Sequence, residues 1–369
     1  MPRQCRLVAP PGVVLALARR EPSDWSRSWS THSMLAVVAG AFPAAPLASK
    51  PVRDLITARR EVSCVQARAW TDAVKKRDPV ELLKRGMHPH PISRAYFKLC
   101  EMQPLLPKEI ARILLICEAP GGFFQAAQTL YPHAVRYATS LEGNSCIRFN
   151  RLVSSNVIAD LPESGDICKE SVVDSLIERL GEHSFDLITA DGGIYHQDLD
   201  MVEQSSLHLL IAQIIVALRM NTLGGSCVIK LFEGSTQPTR DAVAIMRKLY
   251  REVHVYKPRT SKAANSERYL IGVCALSVER CDEVATFLRR SMSFPHVLGL
   301  LSVVDAAISN AFDALATKQT CELQRLLKAT HMEKDACDAL TRLAMDDVAW
   351  IKKNVKSLGG ERELGTTCV

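Results

Sequence analysis

The stretch "RILLICEAPGGF", Arg112–Phe123, sets the reading of this chain. Its first half is a near-continuous apolar run rich in β-favouring residues, the pattern of a strand covered on both faces in a parallel sheet. Its second half is a Pro-Gly-Gly turn, where missing Cβ atoms allow a ligand close to the backbone. Three more runs share the pattern: "AVRYATSL" (Ala134–Leu141), "FDLITAD" (Phe185–Asp191) and "SCVIKLF" (Ser226–Phe232). A fifth, "YLIGVCALS" (Tyr269–Ser277), reads as a buried strand. Helical patterns lie between them. Leu207–Met220 is apolar nearly all round, as in a helix pressed against a sheet, and Gly224-Gly225 would end it. Pro238 opens another helix with an apolar stripe. Alternating strands and helices predict an open, doubly wound α/β sheet.

The chain has 369 residues, 47% hydrophobic and 23% charged, enough for a substantial core. Three regions are expected: a poorly ordered N-terminal extension (1–75), an α/β domain (76–280) and a helical C-terminal extension (281–369). The net charge of +6 permits a polyanionic partner without requiring one. Twelve cysteines are scattered, with no CxxC pair and no His/Cys cluster at zinc spacing, so neither a disulfide framework nor a metal site is expected. The apolar run from Met34 is short and broken by Pro43 and Pro46, so no membrane span is expected. The first sixty residues are richer in Arg than in acid, which leaves a mitochondrial transit peptide as an alternative to a flexible extension.

In doubly wound sheets, ligands bind beyond the carboxyl ends of the strands. The residues there are Pro120-Gly121-Gly122, Glu142, Asp166 and Asp191-Gly192-Gly193. Each alone is explained as a turn, a strand-end carboxylate or a helix cap. Together they suit a nucleoside-bearing cofactor, with glycines beneath it and carboxylates on its ribose and base. S-adenosylmethionine fits better than a nucleotide phosphate, because there is no Walker-type loop and no GxGxxG. Lys230 lies inside the apolar "VIKLF", where a charged amine is costly to bury. It is either a lysine that snorkels to solvent or an amine whose pKa is lowered so that it can act as a base. Lys98 sits on a helix opened near Ser93, sharing a face with Arg94.

"SRAYFKLCE", "CEAPGGF", "TADGG", "VIKLFEG" and "KPRTSKAANSERYLIG", in that order, resemble the FtsJ-like (RrmJ-type) RNA 2′-O-methyltransferases, and look most like those acting on mRNA caps. The resemblance spans about Met87 to Leu276. It implies a Rossmann-like methyltransferase fold with a mostly parallel sheet, and a Lys-Asp-Lys-Glu tetrad at Lys98, Asp191, Lys230 and Glu267. Cofactor contacts would fall on Gly121, Gly122, Phe123, Glu142, Asp166 and Asp191. Glu118 departs from the family, many members having Ser or a small residue there. Lys230 is expected to be the general base, its pKa lowered by Lys98 and a sulfonium, with Asp191 and Glu267 orienting the amines. Arg94, Lys262, Asn265, Ser266 and Arg268, with Lys257 and Arg259 near them, are candidates for contact with RNA, capped mRNA above all. An rRNA or tRNA substrate, and an inactive RNA-binding scaffold, are the alternatives. The C-terminal helices would pack on the domain or on a protein partner. A nuclear location is expected, with the cytoplasm or the mitochondrion as alternatives.

Overall fold

The computed structural model describes residues 14–17, 49–84, 87, 90–143, 148–151, 153, 157–194, 201–292, 306–331 and 334–355. The expectations for the run from Met34 and for most of the presumptive transit segment lie outside the described residues. Seven strands form one sheet: β1 (Val14–Leu17), β2 (Arg112–Ile116), β3 (Val135–Thr139), β4 (Phe185–Ala190), β5 (Asn221–Leu231), β6 (Tyr250–Tyr256) and β7 (Arg268–Ala275). Their order is β1-β6-β7-β5-β4-β2-β3. Strands β3, β2, β4 and β5 pair in parallel. β7 is antiparallel to both β5 and β6, so β6 runs with the parallel set, and β1 pairs antiparallel with β6.

The unbroken apolar runs have a direct physical cause. Along β2, Leu114 and Ile116 enter one core, whereas Ile113 and Leu115 enter another. A strand residue alternates faces with period two, so a sheet covered on both sides makes every position apolar. The first core is closed by α6 (Glu170–Leu180), α7 (Val202–Met220), α8 (Gln237–Leu249) and α9 (Val278–Met292). The second is closed by α3 (Pro79–Leu83), α4 (Ala95–Met102) and α5 (Gly122–Leu130), together with Ile351 of α11 (Lys334–Asn354). The doubly wound α/β expectation holds, as does the helical C-terminal region, which adds α10 (Ala306–Thr330).

Two local expectations differ. Gly224-Gly225 do not end α7, which stops at Met220; both glycines lie within β5. Within the stretch expected to lack order, α1 (Lys50–Ser63) and α2 (Ala67–Lys76) are helical. They pack on α10: Leu55 and Ala58 meet Ala316 and Leu323, and Ala73 meets Leu326. Among the described residues, no helix is long and apolar enough to cross a membrane.

Candidate active site

The carboxyl ends of β4 and β5 and the start of β7 converge on one polar cluster. β5 delivers Lys230 and β7 delivers Tyr269, directly opposite each other in the antiparallel register. Opposed residues share a face, and α4 covers that face. Ser93 Oγ accepts the Ala95 N–H at the start of α4 (3.2 Å), and one turn later Lys98 points into the cluster. Glu101, the next residue on the same face, accepts from the Tyr256 hydroxyl (2.6 Å), from the Arg259 and Thr260 N–H groups (2.7 and 3.0 Å) and from the Thr260 hydroxyl (3.0 Å). It fixes the turn that leads from β6 toward Glu267.

Lys98 Nζ lies 2.9 Å from Glu267 Oε1 and donates to Oε2 at 3.0 Å; Asp191 Oδ2 is 3.9 Å away. Lys230 Nζ lies 3.5 Å from Asp191 Oδ1 and 3.5 Å from Glu267 Oε2. The two amines thus share two carboxylates, and all four side chains are at least four-fifths buried. Lys98, Asp191, Lys230 and Glu267, far apart in sequence, stand together. Gly193 helps to keep the site open, since a Cβ there would sit 3.2 Å from Lys230 Nζ. The neighbouring turn is held by Gln213, whose Oε1 accepts the Gly192 N–H at 3.0 Å.

The expected lowering of the Lys230 pKa is not found. Burial acts downward, but Asp191 and Glu267 outweigh it, and the pKa is raised above the ordinary lysine value of 10.5. Glu267 is driven far below the usual carboxylate range: burial opposes this, but Lys98, Lys230 and Lys257 prevail, aided by the Ser261 hydroxyl, which donates to Glu267 at 2.6 Å. Tyr269, read from the sequence only as the start of a buried strand, accepts from Lys98 (3.2 Å) and donates to Asp191 Oδ1 at 2.6 Å. Burial, then the neighbouring Asp191 and Glu267 charges, push its phenol far up, so it stays a donor. Its sequence signal is its spacing of two from Glu267, which puts both on one side of the chain as it enters β7.

The expected cofactor residues divide. Asp191 is in the cluster. Glu142 is exposed just past β3, and its N–H donates to Ser164 O (2.8 Å), bringing it beside the loop that carries Asp166. Asp166 accepts the Cys168 N–H at 3.0 Å. Carboxylates just past β3 and β4, with Asp166 in the loop beside Glu142, suit a cationic, hydroxyl-bearing nucleoside, so these residues fit S-adenosylmethionine. Gly121, Gly122 and Phe123 are buried, and a Cβ on the two glycines would strike Val153 at 2.4 Å and Ser93 Oγ at 2.1 Å. Their small size is required by packing within the fold. Gly121 also has φ of +117°, a left-handed conformation that favours glycine. Glu118, the departure from the family pattern, is buried and accepts the Phe124 N–H at 2.8 Å near the start of α5. Burial raises its pKa well above the ordinary value, although its backbone hydrogen bonds act downward.

The expected RNA residues divide as well. Arg94, Lys262, Asn265 and Ser266 line an open groove of about 740 Å³, closed on its far side by Trp70, Lys75 and Lys76. Arg94 is itself held by Asp78 (2.8 Å) and Thr260 O (3.1 Å). Arg268 does not reach this groove. It is 1% exposed and donates to the Glu233 carbonyl, because it alternates with Tyr269 along β7 and points to the opposite face. Lys257 and Arg259 turn away too: Lys257 donates to Ser261 Oγ at 3.1 Å, and Arg259 pairs with Asp347 of α11.

A family model for "FtsJ-like methyltransferase" matches residues 91–274, the span that holds all of these strand-end residues. Over 187 residues the chain is 33% identical to a cap-specific mRNA (nucleoside-2′-O-)-methyltransferase 1 of Leishmania braziliensis, covering 47% of this chain and 46% of that protein. It is 28% identical over 235 residues to a cap-specific mRNA (nucleoside-2′-O-)-methyltransferase 2 of Drosophila melanogaster, covering 55% of this chain and 33% of that one. It is 26% identical over 188 residues to a Caenorhabditis briggsae protein named as an inactive cap-specific mRNA (nucleoside-2′-O-)-methyltransferase 1B, covering 47% and 22%. The chain therefore spans less than half the length of these relatives. Through residues 91–274, and the strand-end cluster they build, this chain belongs to the FtsJ-like methyltransferases.

Proposed function

We propose that this chain methylates the ribose 2′-hydroxyl of cap-proximal nucleotides in mRNA, using S-adenosylmethionine. The observation that carries the reading is the convergence of Lys98 and Lys230 on the shared carboxylates of Asp191 and Glu267. Bound in this site, the cofactor supplies an electrophilic methyl on a positively charged sulfur. The protein must then align a sugar hydroxyl and take its proton. Alignment alone is worth a large part of such a barrier.

Lys230 is the base. Its amine lies between two carboxylates that set its direction, while Tyr269 and Ser261 hold those carboxylates in place. Lys98, anchored on the same Glu267 oxygen, is a like-charge neighbour, so loss of the Lys230 proton relieves repulsion within the pair. The mRNA reading rests on the names of relatives, and one of those names denotes an inactive protein. An intact tetrad geometry favours activity here. Tritiated-methyl transfer to capped and uncapped RNA, followed by nuclease mapping, tests all of this. Label confined to a cap-proximal ribose is the expected result. Label on uncapped RNA alone would move the substrate to rRNA or tRNA, and none on any RNA would leave an RNA-binding scaffold. The nucleus is the proposed location, checked by cell fractionation.

A further inference from the structure

Behind the rim that carries Glu267, the turn after β6 faces α10 and α11 across a second, smaller cavity of about 70 Å³. That is several times the roughly 10–15 Å³ that one water needs, and far below the roughly 300–1,000 Å³ of a site for a drug-sized ligand. Five cations line it: Arg77, Lys257, Arg259, Arg268 and Lys318. Among the described residues only two acids do so, and both are occupied. Asp347 takes Arg77 at 2.7 Å and also Arg259, while Glu322 takes Arg77 at 3.3 Å and Arg325 at 2.9 Å. Lys257, Arg268 and Lys318 have no ion pair among the described residues. Among the described residues, Lys257 Nζ is held by neutral oxygens, those of Ser261, Lys262 and Asn265. Arg268 is 1% exposed, and its buried Nε has no hydrogen-bond partner.

We propose that this cavity binds a small phosphate-class anion, inorganic phosphate or a compact phosphomonoester, which links α10 to the rim loop. Five cations against two acids leave the lining with a positive excess, and an anion with several oxygens gives Lys257, Lys318 and the Arg268 guanidinium a counter-charge. Burial, then the nearby Arg268 and Lys98, lowers Lys257 to about 7 even though Glu267 and Glu233 act upward, as expected for an amine lacking a counter-ion in contact. The size argues against a nucleotide in the cavity. Ser261 connects the site to chemistry, since its hydroxyl lies 3.1 Å from Lys257 Nζ and 2.6 Å from Glu267.

The test is calorimetric titration of the full chain with inorganic phosphate, paired with melting in phosphate against chloride at equal ionic strength. A 5′-phosphorylated RNA oligonucleotide is run in parallel to separate a free anion from an RNA terminus. One saturable site is expected, with a raised Tm. Lys318→Ala, an exposed position that should not disturb folding, is expected to weaken phosphate about tenfold, the loss of one charge-assisted contact. Lys75→Ala with Lys76→Ala, in the separate groove, should leave phosphate affinity unchanged. Absence of saturable binding, equal affinity in Lys318→Ala, or loss in the groove variant instead would each overturn the site, as would saturation by the oligonucleotide and not by phosphate. None of these outcomes depends on methyl transfer.

Discussion

Lys230→Ala is expected to lower the methyl-transfer rate by about 10²–10⁴-fold, the usual contribution of a positioned base, with cofactor affinity changed only a few-fold by calorimetry. Because Asp191 and Glu267 hold Lys230 above its ordinary pKa, the neutral amine is the minor form near neutrality. The rate should therefore climb with pH on the alkaline side. Glu267→Gln removes one of the charges that favour the protonated amine, so its pH–rate profile should move to lower pH even as its maximum falls. A move to higher pH would contradict that electrostatic assignment. The four tetrad residues were legible because each sits in a recognisable string of neighbours in the expected order. Tyr269 was not, since its part depends on facing Lys230, and strand register is absent from local composition. Arg268 misled for a related reason: a cation beside Glu267 in sequence is on the other side of the sheet in space.

At the level of elements, the apolar strands β2, β4 and β5 were plain because both their faces are covered. β6 was missed, as Arg251 and Glu252 interrupt "YREVHVY" where it meets solvent. Helices α1 and α2 were missed because their apolar residues are few and interleaved with charge, and become a core only when α10 lies against them. The cap on α5 gives a stability prediction. Glu118 has a raised folded pKa, so folding favours its protonated form, and stability is lost as pH rises through and above the unfolded value. Glu118→Gln should raise Tm by about 2–4 °C at pH 8 and by almost nothing below pH 4. The junction with α11 gives another. Asp347 joins Arg77 to Arg259, so Asp347→Ala takes an acceptor from two partly buried guanidinium groups, leaves Arg77 with Glu322, and should cost about 2 kcal/mol in a denaturant titration. It should also raise the KM for RNA more than it changes cofactor affinity, because Arg259 lies in the turn leading to the rim.

For the whole molecule, the groove beside the tetrad is walled by two sources: the rim loop of the family domain, and α2 from outside it. Lys75, Lys76 and Lys262 are its exposed amines. If they neutralise phosphates of a single strand, each alanine variant should flatten the slope of log affinity against log salt by about 0.7. An unchanged slope in all three would remove the groove from the RNA path. A final consequence concerns α10 and α11. Gln319 on α10 donates to Ala263 O at 2.6 Å, and Asp347 on α11 pairs with Arg259, so the loop bearing Glu267 is braced by helices that follow it in the chain. A nascent chain halted after β7 would already hold every member of the tetrad but none of that bracing. Competence for catalysis should thus arise only once α10 and α11 have been made and have settled onto α1 and α2.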